Sequence, residues 1–292
     1  MAEIKTVGVA GSGTMGAGIA IVAARSGFRT IVFDTRADAL ERARKQTEGF
    51  FAQSIKRGRL TSEQVDGVLA SLSGTTDISA LAACDIVIEA VFEDLGVKHA
   101  LCGELGKVCP PHTIFASNTS TLSITEIAAG SGRPERFVGM HFCLPAQLMK
   151  LVEMSPGLRT SEEAFDAAWN FCKAMGQIPV RTKDNPGFIL NYFLIPFNND
   201  VIRMVEAGVA APADIDLAIK TGLGYAMGPL ELLDLVGLDT HLLVAEALYA
   251  STHELRAAAP ALVKRMIAAG HLGRKTGQGF YTYGAKNAMF GG

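Results

Sequence analysis

Three features of the 292-residue sequence predict an α/β fold, a parallel sheet with its helices, followed by an all-α second half. An apolar, β-rich run at 4–10 leads straight into Gly11-Ser12-Gly13-Thr14-Met15-Gly16. A helical pattern follows (Met15, Ile19, Ile21, Val22, Ala23), and a second β-run at 30–33 ends in Asp34. Further apolar strands recur as far as residue 182, as expected where both faces of a parallel sheet are covered. From residue 188 onward the β-pattern stops and helical periodicity takes over. Strand, glycine turn, helix, strand and terminal acid, in that order, specify a Rossmann-type dinucleotide-binding domain, residues 1–184, followed by an all-α C-terminal domain, residues 185–292.

The glycine spacing has a chemical reason. Gly11 permits a tight turn, Gly13 lets backbone approach a pyrophosphate, and Gly16 lets helix and strand pack closely. With Thr14 and Met15 opening the helix, these residues form the candidate cofactor loop, where a diphosphate meets N–H groups at the positive end of the helix dipole. Asp34 is spaced to accept hydrogen bonds from the adenosine ribose and to repel a 2′-phosphate, which favours NAD over NADP. Arg36 is the one argument for NADP.

Residues 37–56 read as a long, charged, amphipathic helix ended by Gly58, and Thr61-Ser62-Glu63-Gln64 has the residues of a helix cap. A minimal dinucleotide fold needs no such excursion (about 37–73). Its turn gathers Lys56, Arg57 and Arg59, either a solvated helix end or a phosphate grip on a nucleotide-tailed substrate. The apolar strand 84–91 runs out at Phe92-Glu93-Asp94, with Lys98 in the first turn of the next helix. Ligands of such sheets bind at the carboxyl ends of strands, so Glu93 and Lys98 are candidates for the nicotinamide ribose, against the plainer reading of a surface charge pair. Strand 113–116 delivers Ser117-Asn118-Thr119-Ser120-Thr121, which serves either as a helix cap or as contacts to cofactor and substrate.

Strand 136–142 carries His141 at its end, and strand 151–154 carries Glu153 in apolar surroundings. Oxidising a hydroxyl needs a base that titrates near neutrality and an acid that fixes its tautomer and stabilises the imidazolium. His141 and Glu153 are the candidate pair. The other five histidines have no metal-ligand spacing, so no metal is expected. Helix 161–175 and strand 178–182 complete the first domain, and Asp184-Asn185-Pro186-Gly187 marks its boundary. Helices are expected at 188–206, 212–221, 229–235, 240–250 and 260–269. The apolar load of 188–197 exceeds what one small helical domain buries, which predicts a homodimer through these helices. Asn191, polar within that run and near the expected interdomain crevice, is either a helix-packing residue or a substrate contact. Residues 288–292 read as a loose tail.

Apolar residues at 49% and charged residues at 19% describe a soluble globular chain. A net charge of -2 provides no field for nucleic acid or an anionic membrane. Five scattered cysteines without C-x-x-C spacing fit reduced thiols in a cytoplasmic setting. The first residues lack a signal-peptide pattern, and no apolar run reaches membrane-spanning length.

Taken together, the motifs resemble the 3-hydroxyacyl-CoA dehydrogenase family, including bacterial 3-hydroxybutyryl-CoA dehydrogenases. The resemblance runs over essentially the whole chain, from Gly11-Ser12-Gly13-Thr14-Met15-Gly16 to Leu272-Gly273-Arg274-Lys275-Thr276-Gly277-Gln278-Gly279-Phe280-Tyr281. Between them lie Ser117-Asn118-Thr119-Ser120, Gly139-Met140-His141-Phe142, Met149-Lys150-Leu151-Val152-Glu153, Pro186-Gly187-Phe188-Ile189-Leu190-Asn191 and Met227-Gly228-Pro229. It implies reversible NAD-dependent oxidation of an (S)-3-hydroxyacyl-CoA, with His141 as base, Glu153 as its partner, and Ser120 and Asn191 holding substrate. It also implies Glu93 and Lys98 near the nicotinamide ribose, and Lys56 and Arg57 in a coenzyme A-binding insertion; Asn118, at its strand end, is a candidate cofactor contact. The usual H-F-F-N-P is here His141-Phe142-Cys143-Leu144-Pro145, followed by the less apolar Ala146-Gln147-Leu148. These departures spare the pair and bear on the acyl or cofactor pocket. Two alternatives stand beside this reading: a gulonate-type dehydrogenase of free hydroxy acids, which needs no coenzyme A grip, and a non-catalytic relative like a lens crystallin.

Overall fold

The computed structural model describes residues 4–284, so the expected tail at 288–292 lies outside them. The chain divides into two compact units, one ending at Asn185 and the other beginning at Pro186.

In the first unit, β1 (Thr6–Ala10) is followed by α1 (Thr14–Arg25) and β2 (Arg29–Phe33). Then come α2 (Ala37–Lys56), α3 (Ser62–Ala70) and β3 (Leu72–Thr75). The chain continues through β4 (Ile86–Glu89), α4 (Leu95–Val108), β5 (Ile114–Ser117), α5 (Ile124–Ala129) and β6 (Phe137–Phe142). It closes with β7 (Leu151–Pro156), α6 (Glu162–Ala174) and β8 (Ile178–Arg181). The strands form one eight-stranded sheet in the order β3-β2-β1-β4-β5-β6-β7-β8. The order reverses between β1 and β4, and a ligand crevice opens at the carboxyl ends there.

The chemistry of each run explains its place. Val7, Val9, Ile86, Ile88, Ile114, Val138 and Met140 are buried on the sheet, as strands covered on both faces must be. The run from Gly16 to Ala24 in α1 is wholly buried, and its small residues let the helix lie close to the strands. The α2–α3 hairpin packs on α1 through Ile21, Phe51 and Val65. Thr61 opens α3 with a capping box: its hydroxyl accepts from the Gln64 N–H, and the Gln64 side chain accepts from the Thr61 N–H.

In the first unit, two strands differ in extent from the sequence expectation. Leu72–Thr75 leaves the helical excursion to form an edge strand parallel to β2. The strand expected at 84–91 is confined to Ile86–Glu89: Cys84 closes the turn before it, and beyond it the Val91 N–H turns back to the Glu89 carboxylate. The strand directions also change late in the sheet: β7 runs antiparallel to β6, and β8 follows β7 in parallel.

The second unit contains α7 (Leu190–Glu206), α8 (Pro212–Leu223), α9 (Pro229–Val236), α10 (Leu238–Thr252) and α11 (Ala261–Ala268). Val201, Ile202, Ile215, Leu230, Leu233, Leu238 and Val263 form its core. Helix α7 starts at Leu190 rather than 188, since Gly187 (φ 76) and Phe188 (φ 49) both have left-handed backbone. Isolated bridges link Gly273 with Gln278 and Gln278 with Thr282, the β-structure that the periodicity missed.

Two buried aspartates fasten this unit. Asp216 accepts from the Leu230 and Glu231 N–H groups at the start of α9 (2.9 Å each) and from the Tyr281 hydroxyl (2.7 Å). Asp234 accepts from the Phe280 and Tyr281 N–H groups (2.9 Å each) and from the Tyr283 hydroxyl (3.0 Å). A Cβ on Gly228 would overlap the Asp216 side chain, and one on Gly279 the Asp234 carboxylate.

Candidate active site

The turn after β1 is shaped by its glycines for two different reasons. Gly11 has φ +101, and a Cβ there would stand 2.6 Å from the Ala90 carbonyl oxygen; a Cβ on Gly16 would overlap the Gly11 carbonyl. Packing within the chain therefore demands both. Gly13, the N-cap of α1, is different: a Cβ there meets nothing within 4 Å. Its lack of a side chain leaves backbone accessible beside the Thr14 and Met15 end of α1, and no side chain caps that helix. An anion fits this bare, electropositive terminus.

The Asp34 carboxylate, at the end of β2, reaches across to the same turn. It accepts from the Ser12 N–H (2.9 Å) and hydroxyl (2.7 Å), and from the Arg36 N–H (3.0 Å). Arg36, the one argument for a 2′-phosphate, is engaged by Asp38 through its Nε at 3.0 Å. These residues fit NAD, which they would hold by its pyrophosphate at Gly11, Gly13, Thr14, Met15 and Gly16 and by its adenosine ribose at Asp34.

At the carboxyl ends of β4 and β5, charge is buried. Lys98 is 1% exposed. Its Nζ donates to both Glu89 oxygens (2.8 and 2.9 Å) and lies 3.3 Å from Glu93 Oε2. The Lys98–Glu89 pair is thus internal, while Glu93 meets the same ammonium from a carboxylate still 38% exposed, so this is not a pair of two surface charges. Burial pushes the Glu93 carboxyl up. The Lys98 ammonium and the hydrogen bonds from Thr119, Ser120 and Thr121 outweigh that, so it titrates below the usual glutamate range. Asn118 follows β5, and its Oδ1 accepts the Phe142 N–H at 2.9 Å, tying the end of β5 to the end of β6.

Reversal of β7 creates the central feature. In the β6–β7 register His141 stands directly opposite Glu153, and such antiparallel partners project from the same face. His141 Nδ1 is 2.8 Å from Glu153 Oε2, and the two residues are 7% and 1% exposed. With the carboxylate accepting from Nδ1–H, the tautomer leaves Nε2 as an acceptor; it lies 3.2 Å from Ser120 Oγ. An imidazole, its orienting acid and a hydroxyl thus converge where β5 and β6 end, an arrangement able to move a proton to or from a substrate oxygen.

Of the candidates, Ser120, His141 and Glu153 are brought into contact; Glu93 accepts the Ser120 N–H, Lys98 pairs with Glu93, and Asn118 ties β5 to β6. Lys56 ends α2 and Arg57 caps it, both exposed. Asn191 belongs to the second unit, in the first turn of α7, where its N–H donates to the Gly187 carbonyl (3.1 Å). Leu144, just past the dyad strand, is 44% exposed, and Gln147 lies against α1 at Gly18.

Sequence reading missed Glu89, hidden inside an apolar strand. Its signal was the need of any buried acid for a cation, here Lys98, nine residues on. It also treated Asp184 as boundary punctuation only. Asp184 accepts from the Ser123 and Thr125 hydroxyls and from the Ile124 and Thr125 N–H groups, capping α5. All five cysteines are free and buried. Among the described residues no helix is long and apolar enough to cross a membrane.

The family models for the 3-hydroxyacyl-CoA dehydrogenase NAD-binding domain and C-terminal domain match residues 6–185 and 187–283. The chain is 41% identical to a probable 3-hydroxybutyryl-CoA dehydrogenase of Bacillus subtilis, over 98% of this chain and 100% of that one. It is 44% identical to a 3-hydroxyadipyl-CoA dehydrogenase of Escherichia coli over 98% of its own length, which spans 60% of that relative. The crystal structure of (S)-3-hydroxybutyryl-CoA dehydrogenase PaaH1 from Ralstonia eutropha superposes with a TM-score of 0.92 at 38% identity, covering 97% of this chain and all of that one. Sheet order, glycine turn, buried dyad and these likenesses agree: the chain belongs to the NAD-dependent 3-hydroxyacyl-CoA dehydrogenase family.

Proposed function

We propose that this protein interconverts (S)-3-hydroxyacyl-CoA and 3-oxoacyl-CoA with NAD, on 3-hydroxybutyryl-CoA or a related acyl-CoA. The carrying observation is the His141–Glu153 pair with Nε2 turned to Ser120. NAD supplies the hydride acceptor when bound. His141 Nε2 takes the proton of the 3-hydroxyl, and Glu153 holds the ring and stabilises the imidazolium; in the reverse direction His141 returns that proton to the 3-oxo oxygen. Ser120 and Asn191 hold the oxygens of the 3-hydroxyacyl thioester. Lys56 and Arg57, at the cationic end of α2, grip the coenzyme A phosphates.

His141→Ala tests the mechanism with acetoacetyl-CoA and NADH. Turnover falls by at least about 100-fold, the low end of a general-base contribution, and ordinary activity would overturn the proposal. A panel of 3-oxoacyl-CoA substrates of graded length then reads the pocket that Leu144 alters. Turnover of free 3-hydroxybutyrate that ignores Lys56 and Arg57 would favour the free hydroxy-acid alternative; tight NADH binding without turnover would favour the crystallin-like one.

The assembly we propose is a homodimer through the helical unit, where Ile189, Tyr192 and Phe193 are each about half exposed. Free cysteines support a cytoplasmic site of action, and the near-balanced charge gives no support to a nucleic-acid or membrane partner.

A further inference from the structure

The loop that carries Ser120 hangs from two carboxylates. Glu93 Oε1 accepts the Ser120 N–H (2.7 Å), the Thr121 N–H (3.0 Å), and the hydroxyls of Thr119 (2.6 Å) and Thr121 (3.1 Å). Glu89 accepts from the Ser117 hydroxyl, which in turn accepts the Thr119 N–H at 3.1 Å. One buried ammonium, Lys98, bridges both acids. Residue 120 is thus suspended at two points: its N–H on Glu93 and its Oγ against His141 Nε2.

We propose that Glu93 is a positioning residue for Ser120, fixed in place by Glu89 and Lys98, so that the wall facing the cofactor also sets the substrate hydroxyl contact. A loop turn of this kind has no apolar anchor of its own: Ser120 is half-buried and its neighbours are small and polar. Four donors converging on one oxygen supply that anchor, and Lys98 keeps the accepting oxygen charged. Geometry of this kind matters in proportion to its precision, since a displacement of about 1 Å at a reacting group costs on the order of 100-fold in rate.

The inference rests on Ser120 contacting substrate, and a double-mutant cycle separates the two. Glu93→Gln, Ser120→Ala and the double variant are assayed for kcat and KM on acetoacetyl-CoA with NADH. Each single change lowers kcat by roughly 10- to 100-fold, and the double variant stays within about twofold of Ser120→Ala, the tolerance of additivity. Losses that multiply in the double variant overturn the positioning role, as does a Glu93→Gln enzyme within about twofold of the parent. A harmless Ser120→Ala overturns the underlying reading instead. Where Glu93→Gln fails to fold, Thr119→Val removes a single donor from the same oxygen. Its smaller kcat loss must likewise vanish in the Ser120→Ala background, and a loss that persists there overturns the proposal.

Discussion

Glu153→Gln isolates what the buried acid contributes. The amide keeps the size of the side chain and a hydrogen-bond acceptor for His141 Nδ1, but removes its charge. His141 and Glu153 are almost wholly buried, with Nδ1 and Oε2 2.8 Å apart and the charge centres farther apart, about 4 Å. At an effective dielectric of about 20, opposite charges at that separation attract by about 4 kcal/mol. That attraction exists only while His141 is protonated, so it favours the protonated state over the neutral one. At about 1.4 kcal/mol per decade, its loss lowers kcat for hydroxyl oxidation by roughly 1,000-fold. The KM for 3-hydroxybutyryl-CoA changes little, because the attraction develops as the proton is transferred and not on binding. Initial rates of NADH formation, with circular dichroism and thermal melting to verify folding, make the measurement. A folded Glu153→Gln enzyme within about tenfold of the parent would refute the claim that this carboxylate stabilises a charged imidazole.

Three further outcomes follow from the geometry. Gly13→Ala meets no protein atom, so Tm moves by no more than about 4 °C while the Kd for NADH, read by fluorescence, rises at least about tenfold. Gly16→Ala drives a Cβ into the Gly11 carbonyl and costs about 1–3 kcal/mol of stability; the reverse ranking of the two variants in melting experiments would contradict the assignment. Lys56→Ala and Arg57→Ala each raise the KM for acetoacetyl-CoA roughly tenfold, the value of one charged hydrogen bond, and leave the KM for acetoacetyl-pantetheine unchanged; equal effects on both substrates would remove the phosphate grip. Burial pushes His241 down from 6.5 to about 4. Between those values the unfolded chain binds a proton that the folded one refuses, so the fold is undisturbed above pH 6.5 and loses up to about 3 kcal/mol as pH falls toward 4. His241→Gln, which keeps a donor for Asn199 Oδ1, flattens the fall of Tm between about pH 7 and 5; parallel curves would exclude His241 as the source.

What the sequence made legible follows the range of its forces. The run from β1 through the glycine turn to Asp34 was readable because every requirement there is local: apolar strand, missing Cβ atoms, terminal acid. The Thr61 cap was readable for the same reason, its two bonds closing over three residues. The direction of β7 was not, since Leu151–Pro156 presents the same alternation to a neighbour whichever way it runs. Yet that direction decides which residue faces His141. Nor was β3 legible: Leu72-Ser73-Gly74-Thr75 is half-exposed at the sheet edge and gains its strand geometry from pairing with β2. Glu89 was hidden by its apolar neighbours, because the need for Lys98 arises only once both are buried.

The aspartate fastenings of the helical unit change how its signatures are to be understood. Met227-Gly228-Pro229 and Gly279-Phe280-Tyr281 stand out in the sequence as chemistry does, but their glycines are bare because carboxylates occupy the space a methyl group would take. They are rivets rather than reagents. A homologue that kept both motifs and lost His141 would still fold its helical half, so these motifs vouch for ancestry and say nothing about turnover.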